Sequence, residues 1–101
     1  MQGISRKEES ELPPFKSHEE AISYFEGKYG EKFVFEESSD DKDSICFFYR
    51  LIIDEAAYIK GISNLNSTGY IGLEFKNSYQ PIQIWEDGSI HIVRLQGGIS
   101  Q

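Results

Sequence analysis

The clearest hydrophobic pattern in the chain is a helical stripe between residues 17 and 30. Ser17 and Glu20 have the spacing of a capping box, in which both side chains accept hydrogen bonds from the backbone of the first turn. Gly30 supplies the left-handed residue that commonly ends a helix. The pattern predicts an amphipathic helix of about 12 residues. Its apolar stripe consists of Ala21, Ile22, Phe25 and Tyr29.

Two segments after this helix have the pattern of β-strands. Residues 32–37 alternate Phe33 and Phe35 with side chains on the opposite face, which predicts a strand. Residues 45–53 are apolar on both faces, which is typical of a central strand covered on both sides. The acidic residues between the two segments predict a turn over residues 38–44.

The middle of the chain allows more than one interpretation. Residues 54–60 fit either a short helix capped by Asp54, ending before the next glycine, or an irregular strand. Residues 61–68 are rich in serine and asparagine, which predicts a turn. Residues 69–76 alternate cleanly, which predicts a further strand. Its apolar face consists of Ile71, Leu73 and Phe75.

The last two strands are predicted to form a hairpin whose loop length follows from the positions of its isoleucines. A two-residue Asp87-Gly88 loop would mix polar and apolar residues on both faces. A three-residue loop that also includes Glu86, with Gly88 left-handed in a G1 bulge, gathers four isoleucines on one face. That face consists of Ile82, Ile84, Ile90 and Ile92, and the opposite face carries Gln83, Trp85, Ser89, His91 and Val93.

These elements predict an α+β fold in which one amphipathic helix packs on a four- or five-stranded, mostly antiparallel sheet, as a two-layer sandwich. The 101 residues are enough for a single domain, which we place at residues 15–101. Residues 1–14 are polar and charged and end in Pro13-Pro14, so we expect a flexible tail. Pro81 precedes the hairpin and suits a strand start or an edge strand.

The chain is acidic, with 17 Asp and Glu residues against 10 Lys and Arg, and its net charge is -7 at pH 7. Nucleic-acid binding draws on Lys and Arg side chains that neutralise phosphates, so we expect neither a nucleic acid nor an anionic membrane as a direct partner. No apolar run approaches the ~18 residues of a membrane span. The chain also begins without the apolar core of a secretory signal, so we expect a cytoplasmic protein.

The residues that could carry chemistry do not match a recognised catalytic or metal-binding motif. His18 falls in the first turn of the helix, where we expect a surface position, and Cys46 falls in an apolar strand, where a thiol is unreactive. The acidic turn over 38–44 lacks the spacing of a calcium loop. We therefore expect no metal, no cofactor and no catalytic residue. His91 supports only a third hypothesis, a small enzyme that uses its imidazole as a general base.

The hairpin face opposite the isoleucines has the strongest functional implication, because tryptophan and tyrosine dominate binding hot spots at protein interfaces. We expect this face to be either an interface or a second small core, covered by residues 54–67 or by the N-terminal tail. Tyr70 and Tyr49 can share it. The expected partner-binding residues are Trp85, His91, Tyr79 and Gln83, together with the acidic residues Glu37, Asp40, Asp41 and Asp43.

The leading hypothesis is a small acidic protein-binding module that occludes a partner protein, as an immunity protein, an antitoxin-like neutraliser or a phage-encoded inhibitor does. The acidic turn would steer a basic partner and Trp85 would anchor it. The alternative is a small-ligand-binding or homodimeric structural domain, joined through the open sheet face. Plentiful Lys, Ile and Phe beside few Ala and Arg are typical of a low-GC bacterium or its phage.

Overall fold

The computed structural model describes residues 3–40, 44–69 and 72–93 of the chain. Within them, two helices are followed by a β-hairpin, two further helices and a second hairpin. The helices are α1 (Arg6–Ser10), α2 (His18–Tyr29), α3 (Glu55–Thr68) and α4 (Leu73–Lys76), with a 3₁₀ turn at Gly30–Lys32, and the strands are β1 (Phe33–Asp40), β2 (Ile45–Ile52), β3 (Tyr79–Trp85) and β4 (Ile90–Ile92).

The four strands form one antiparallel sheet in the order β1-β2-β3-β4, which confirms the predicted α+β class. The last hairpin has the predicted register, because Ile84 pairs with Ile90 and Ile82 with Ile92. Gly88 closes its three-residue loop at φ +90°, a conformation that glycine adopts without strain. The isoleucines therefore share one face of the sheet, called the core face below, and the opposite side is called the outer face.

Helix α2 covers the core face. Its two buried residues, Ala21 and Phe25, belong to the core, and Phe25 stacks on Phe33 with 5.3 Å between ring centroids. A fully buried side chain of the size of Phe25 contributes roughly 1.5–3 kcal/mol, so the packing of α2 on the core face stabilises the fold. The core consists of Ile4, Ala21, Phe25, Phe33, Tyr49, Leu51, Ile82, Ile84 and Ile92.

Helix α2 begins and ends where the sequence predicts. The Ser17 hydroxyl accepts the backbone N–H of Glu20 at 3.2 Å, and Gly30 follows the last turn at φ +59°. The second half of the capping box differs from the prediction. The Glu20 carboxylate accepts the backbone N–H of Lys16 at 2.9 Å, so it binds the chain one residue before the cap.

The segment before α2 is exposed for most of its length, as expected of a tail, but Ile4 anchors it in the core. Ser5 and Glu8 form a capping box that begins α1, a helix without buried residues. The backbone N–H and C=O of Ile4 both hydrogen-bond the side chain of Gln80. The hydrophobic core therefore extends into residues that lie before Pro13.

The structure settles the open choice for residues 54–60 in favour of a helix. The Asp54 carboxylate caps α3 by accepting the backbone N–H of Ala57 at 3.1 Å. The helix does not end before Gly61 but continues to Thr68, so the predicted turn over these residues is wrong.

The predicted strand over residues 69–76 is also wrong, because α4 occupies its second half. Of the expected apolar face, Phe75 is buried, Leu73 is 73% exposed and Ile71 lies outside the described residues. Phe75 packs against Tyr79 with 5.4 Å between ring centroids. The buried ring of Phe75, rather than an apolar strand face, therefore holds this segment against the sheet.

Pro81 lies inside β3, which is an inner strand, and not at an edge or a strand start. Its carbonyl accepts the backbone N–H of Val93 at 2.9 Å. Proline has no N–H, so Pro81 cannot donate a hydrogen bond back to the carbonyl of Val93. The regular pairing of β3 with β4 ends here, and β4 ends at Ile92.

Candidate functional site

The outer face of the sheet brings residues of all four strands into one row. Phe48 of β2 pairs with Glu37 of β1 on one side and with Gln83 of β3 on the other, and Gln83 pairs with His91 of β4. Paired side chains of neighbouring strands lie about 5 Å apart, so the row runs across the whole sheet. Glu37 and His91 are exposed, while Phe48 and Gln83 are half-buried.

A β-bulge places Glu37 in this row. The register between β1 and β2 shifts between Phe35 and Glu37, which makes Glu36 the extra residue. Without the shift, Glu37 would lie opposite Phe47 on the core face, because side chains alternate along a strand. The bulge therefore brings an acidic side chain next to Phe48.

Trp85 lies at the end of β3, where it pairs with Cys46 of β2. Both side chains are half-buried, and no aromatic ring in the described part of the chain stacks on the indole. An open depression of about 510 Å³ adjoins it, lined by Ser44, Trp85, Glu86, Asp87 and Ser89. We call the uncovered residues of the outer face, Cys46, Phe48, Gln83, Trp85 and His91, the Trp85 surface.

Acidic side chains border the Trp85 surface at the same end of the sheet. Asp40, the last residue of β1, pairs with Ile45. The Ile45 N–H donates to the Glu86 carboxylate at 3.1 Å, and its carbonyl accepts the Glu86 N–H at 3.2 Å. The Asp87 carboxylate accepts the Ser89 N–H at 2.9 Å, which lowers the pKa of this carboxyl group. Glu86 and Asp87 thus form an acidic rim beside Trp85, and Asp40 lies across β2 from them at the same end of the sheet.

The other end of the outer face is closed by α3 and α4. The Arg50 guanidinium carbon lies 4.7 Å from the ring centroid of Tyr79 and 5.8 Å from that of Phe75. The guanidinium donates to the Glu36 carboxylate at 3.0 Å and to the Tyr58 hydroxyl at 3.3 Å. Burial opposes the charge, but the bonds to Glu36 and Tyr58 raise the pKa of Arg50. These five residues, the Arg50 cluster, form the second small core.

The expected second small core therefore forms at one end of the outer face, while the interface at the other end stays a prediction. The Arg50 cluster contains Tyr79, so this tyrosine does not belong to the open surface that the sequence analysis assigned to it. Trp85, Gln83 and His91 remain uncovered by α3 and α4 in the described part of the chain.

Two residues expected at the surface lie between the layers instead. The His18 ring stacks on Phe47 with 3.8 Å between centroids, and its Nε2 is hydrogen-bonded to the Tyr49 hydroxyl at 2.8 Å. Tyr49 is 7% exposed and pairs with Ile82 on the core face, and burial raises the pKa of its hydroxyl. Tyr49 therefore does not share the aromatic outer face, and His18 links the first turn of α2 to the sheet.

The structure gives His91 no orienting partner among the described residues. Its imidazole is exposed on β4, and no carboxylate in that part of the chain hydrogen-bonds it. Cys46 is half-buried, and burial raises the pKa of its thiol, which disfavours the reactive thiolate. Within the same residues, no three His, Cys, Asp or Glu side chains converge as a metal site requires.

The structure brings together four of the eight expected partner-binding residues on the outer face, and Tyr79 is covered. The four are Glu37, Gln83, Trp85 and His91, whereas Asp40 pairs with Ile45 on the core-face side, and Asp41 and Asp43 lie outside the described residues, as does Tyr70.

Sequence reasoning did not assign Cys46, Phe48, Glu86 and Asp87 to the surface. For Cys46 and Phe48 the signal is the alternation of side chains along β2. Alternation alone does not tell which face is the outer one, and the pairing of β2 with β3 is needed to assign it. The signal for the acidic pair is its position directly after Trp85 in the predicted loop.

Comparisons with known protein families, with curated proteins and with solved structures find no match to this chain. None of the helices in the described residues has the length and apolar character needed to cross a membrane.

Proposed function

We propose that this protein is a small binding module that occludes a protein partner with the Trp85 surface and the acidic rim. The observation that carries the proposal is the position of Trp85 beside Glu86 and Asp87, at the end of the outer face that α3 and α4 leave uncovered. A tryptophan beside an open depression is the type of residue that dominates interface hot spots. Charged residues around such an anchor determine which partner is accepted.

The chemistry of the surface indicates a partner with a basic border around an apolar side chain. The residues that line the depression include no Lys or Arg, and two of them are acidic. With a net charge of -7, the chain attracts a basic surface and repels an acidic one. This attraction is screened over about 8 Å at physiological ionic strength, so added salt should slow association. For the same reason the proposal includes no direct nucleic-acid partner.

The proposal places the protein in the cytoplasm of a bacterium or of a phage-infected cell. A reducing compartment suits a chain whose only cysteine, Cys46, is a free thiol.

The alternative with the best structural support is a homodimer formed through the same Trp85 surface. A two-fold dimer buries the same patch of both copies. It would bring two surfaces of like charge together, which favours a basic heterologous partner instead.

The experiment is capture of the partner from native lysate, followed by binding kinetics with the two purified proteins. We expect Trp85→Ala to weaken the affinity at least about 30-fold, mainly through faster dissociation, because a hot-spot residue contributes ~2 kcal/mol or more. Asp40→Lys should slow association about tenfold at low salt, because it reverses a charge at the end of the sheet that carries Trp85. Circular dichroism establishes that each variant is folded.

Two matched controls separate the Trp85 surface from the rest of the molecule. Phe35 is an aromatic residue that is 53% exposed but lies on the core face, and Glu11 is an exposed acidic residue after α1. Phe35→Ala and Glu11→Lys should leave binding unchanged. Equal losses for Phe35→Ala and Trp85→Ala, or an unchanged affinity of Trp85→Ala, would overturn the proposal. Capture of the chain alone, with a dimer that Trp85→Asp abolishes, would establish the homodimer instead.

A further inference from the structure

The buried side chain of Gln80 forms a receptor for the backbone of one residue. Gln80 lies on the core face, pairs with Leu51 and is 6% exposed. Its Oε1 accepts the N–H of Ile4 at 2.7 Å, and its Nε2 donates to the carbonyl of Ile4 at 3.2 Å. A residue of a neighbouring antiparallel strand would form the same reciprocal pair of bonds. The amide thus binds Ile4 as a strand binds an added strand.

The receptor also selects the side chains of the bound segment. Ile4 is 4% exposed and fills part of the hydrophobic core. A Cβ at Gly3 would lie 2.8 Å from Gln80 Oε1 and 3.1 Å from its Cδ, so a larger residue would displace the amide that binds Ile4. The site therefore accepts a glycine followed by a large aliphatic residue.

The chain that connects this segment to α2 has few contacts with the core. Ile4 is the one fully buried residue between Gly3 and Pro14, α1 contributes none, and Leu12 packs against the core while half-buried. When extended, the ten residues from Ser5 to Pro14 reach roughly 35 Å. The molecule itself measures 40 × 32 × 25 Å, so a released segment can reach the same site on a neighbouring copy.

We propose that the Gln80 receptor also binds Gly3-Ile4 of a second copy of this chain, so that two copies form a dimer by exchanging their N-terminal segments. Every contact of Ile4 in the monomer recurs in the exchanged dimer, and the two states differ mainly in the entropy of association. The inference rests on Ile4 and Gln80 of the core face and is independent of the Trp85 surface.

The exchange has an expected concentration range. A segment on a short flexible linker meets its own site at a millimolar effective concentration. The second copy competes only when the protein concentration approaches that value, and refolding at high concentration should then trap the exchanged form.

The experiment is to refold the full-length chain from urea at about 1 mM, close to that effective concentration, and at about 10 µM, far below it. Light scattering after size exclusion then gives the molar mass. We expect twice the monomer mass of 11.6 kDa after refolding at the higher concentration only. Ile4→Asp should abolish the dimer, because a carboxylate cannot enter the core.

Two further variants keep the test decisive where Ile4→Asp disturbs folding. Gly3→Val blocks the place beside Gln80 without adding a charge, and Gln80→Leu removes both hydrogen bonds, so each should abolish the dimer. A monomer at both concentrations, or a dimer that survives these variants, would overturn the proposal. Trp85→Asp should leave the exchanged dimer intact. If this variant instead abolishes the dimer, the two copies associate through the Trp85 surface and the exchange is rejected.

Discussion

Gly61 of α3 lies directly against the ring of Phe75 in α4. A Cβ at position 61 would be 2.2 Å from Phe75 Cδ1 and 2.6 Å from its Cβ, distances at which the ring or the helix has to move. Glycine therefore allows α3 and α4 to approach closely. Because Phe75 also contacts Tyr58 and Tyr79, this approach determines how one end of the outer face is closed.

Gly61→Ala should destabilise the protein although alanine favours a helix. The added methyl group overpacks the contact with Phe75, which lowers the free energy of unfolding by about 1–3 kcal/mol. The higher helix propensity of alanine raises it by about 1 kcal/mol. We expect a net loss of about 1 kcal/mol in the free energy of unfolding, measured by urea denaturation. The matched control is Gly27→Ala in α2, where a Cβ meets nothing within 4 Å. It should gain about 0.5–1 kcal/mol, and equal effects of the two substitutions would contradict the packing.

Glu36→Gln should weaken the Arg50 cluster. The carboxylate lies 3.0 Å from the Arg50 guanidinium, and the two side chains are 35% and 20% exposed. Exposed pairs contribute about 0–1 kcal/mol, and breaking a buried one costs about 3–5 kcal/mol. For this partly buried pair we expect a loss of about 1–2 kcal/mol. Glu37→Gln, at the exposed neighbouring position, should change stability by less than about 0.5 kcal/mol.

Gln80→Leu should be costly although leucine has a similar size. It removes both hydrogen bonds to Ile4 and leaves the N–H and C=O of that residue unpaired, which costs about 2–3 kcal/mol. A double-mutant cycle with Ile4→Ala should give a coupling energy above about 0.5 kcal/mol. Gln83→Leu, on the outer face of the same strand, is the control and should be nearly neutral. Additive effects of the Gln80 and Ile4 substitutions would refute the receptor.

The stability of the protein should fall in alkaline solution. Burial raises the pKa of Tyr49 and of Tyr29 above their ordinary value of 10.0. The folded chain then binds more protons than the unfolded chain, so the free energy of unfolding is intact below about pH 10 and decreases as the pH rises beyond it. Tyr49→Phe should make this decrease less steep, measured by urea unfolding at several pH values. An unchanged slope would show that Tyr49 does not contribute.

The parts of the fold that the sequence predicts are those governed by neighbours along the chain. The cap at Ser17 and the stop at Gly30 are local signals, and they define α2. The loop before Ile90 has a single length that keeps the isoleucines together, and the structure has that length. In each case residues within about ten positions determine the outcome.

The parts that could not be predicted depend on contacts between distant residues. Ile4 precedes a polar segment without periodicity, and its burial depends on Gln80, 76 positions later. Phe75 belongs to an alternating segment, but the space opposite Gly61 favours a helix there. The candidate site shows the same division, because Trp85 was assigned by local alternation, whereas the β-bulge at Glu36 that positions Glu37 has no local signal.

The same bulge has a consequence for how the sheet meets other chains. An unpaired outer strand can template aggregation, and β2 beside it, with the sequence ICFFYRLI, is strongly apolar. A bulge interrupts the regular spacing of backbone groups along β1, and Glu36, Glu37 and Asp40 add negative charge to the strand. At the opposite side, β4 offers only three residues. Among the residues that the structure describes, both borders of the sheet are therefore poor templates for a further strand, which directs association towards side-chain contacts on the faces.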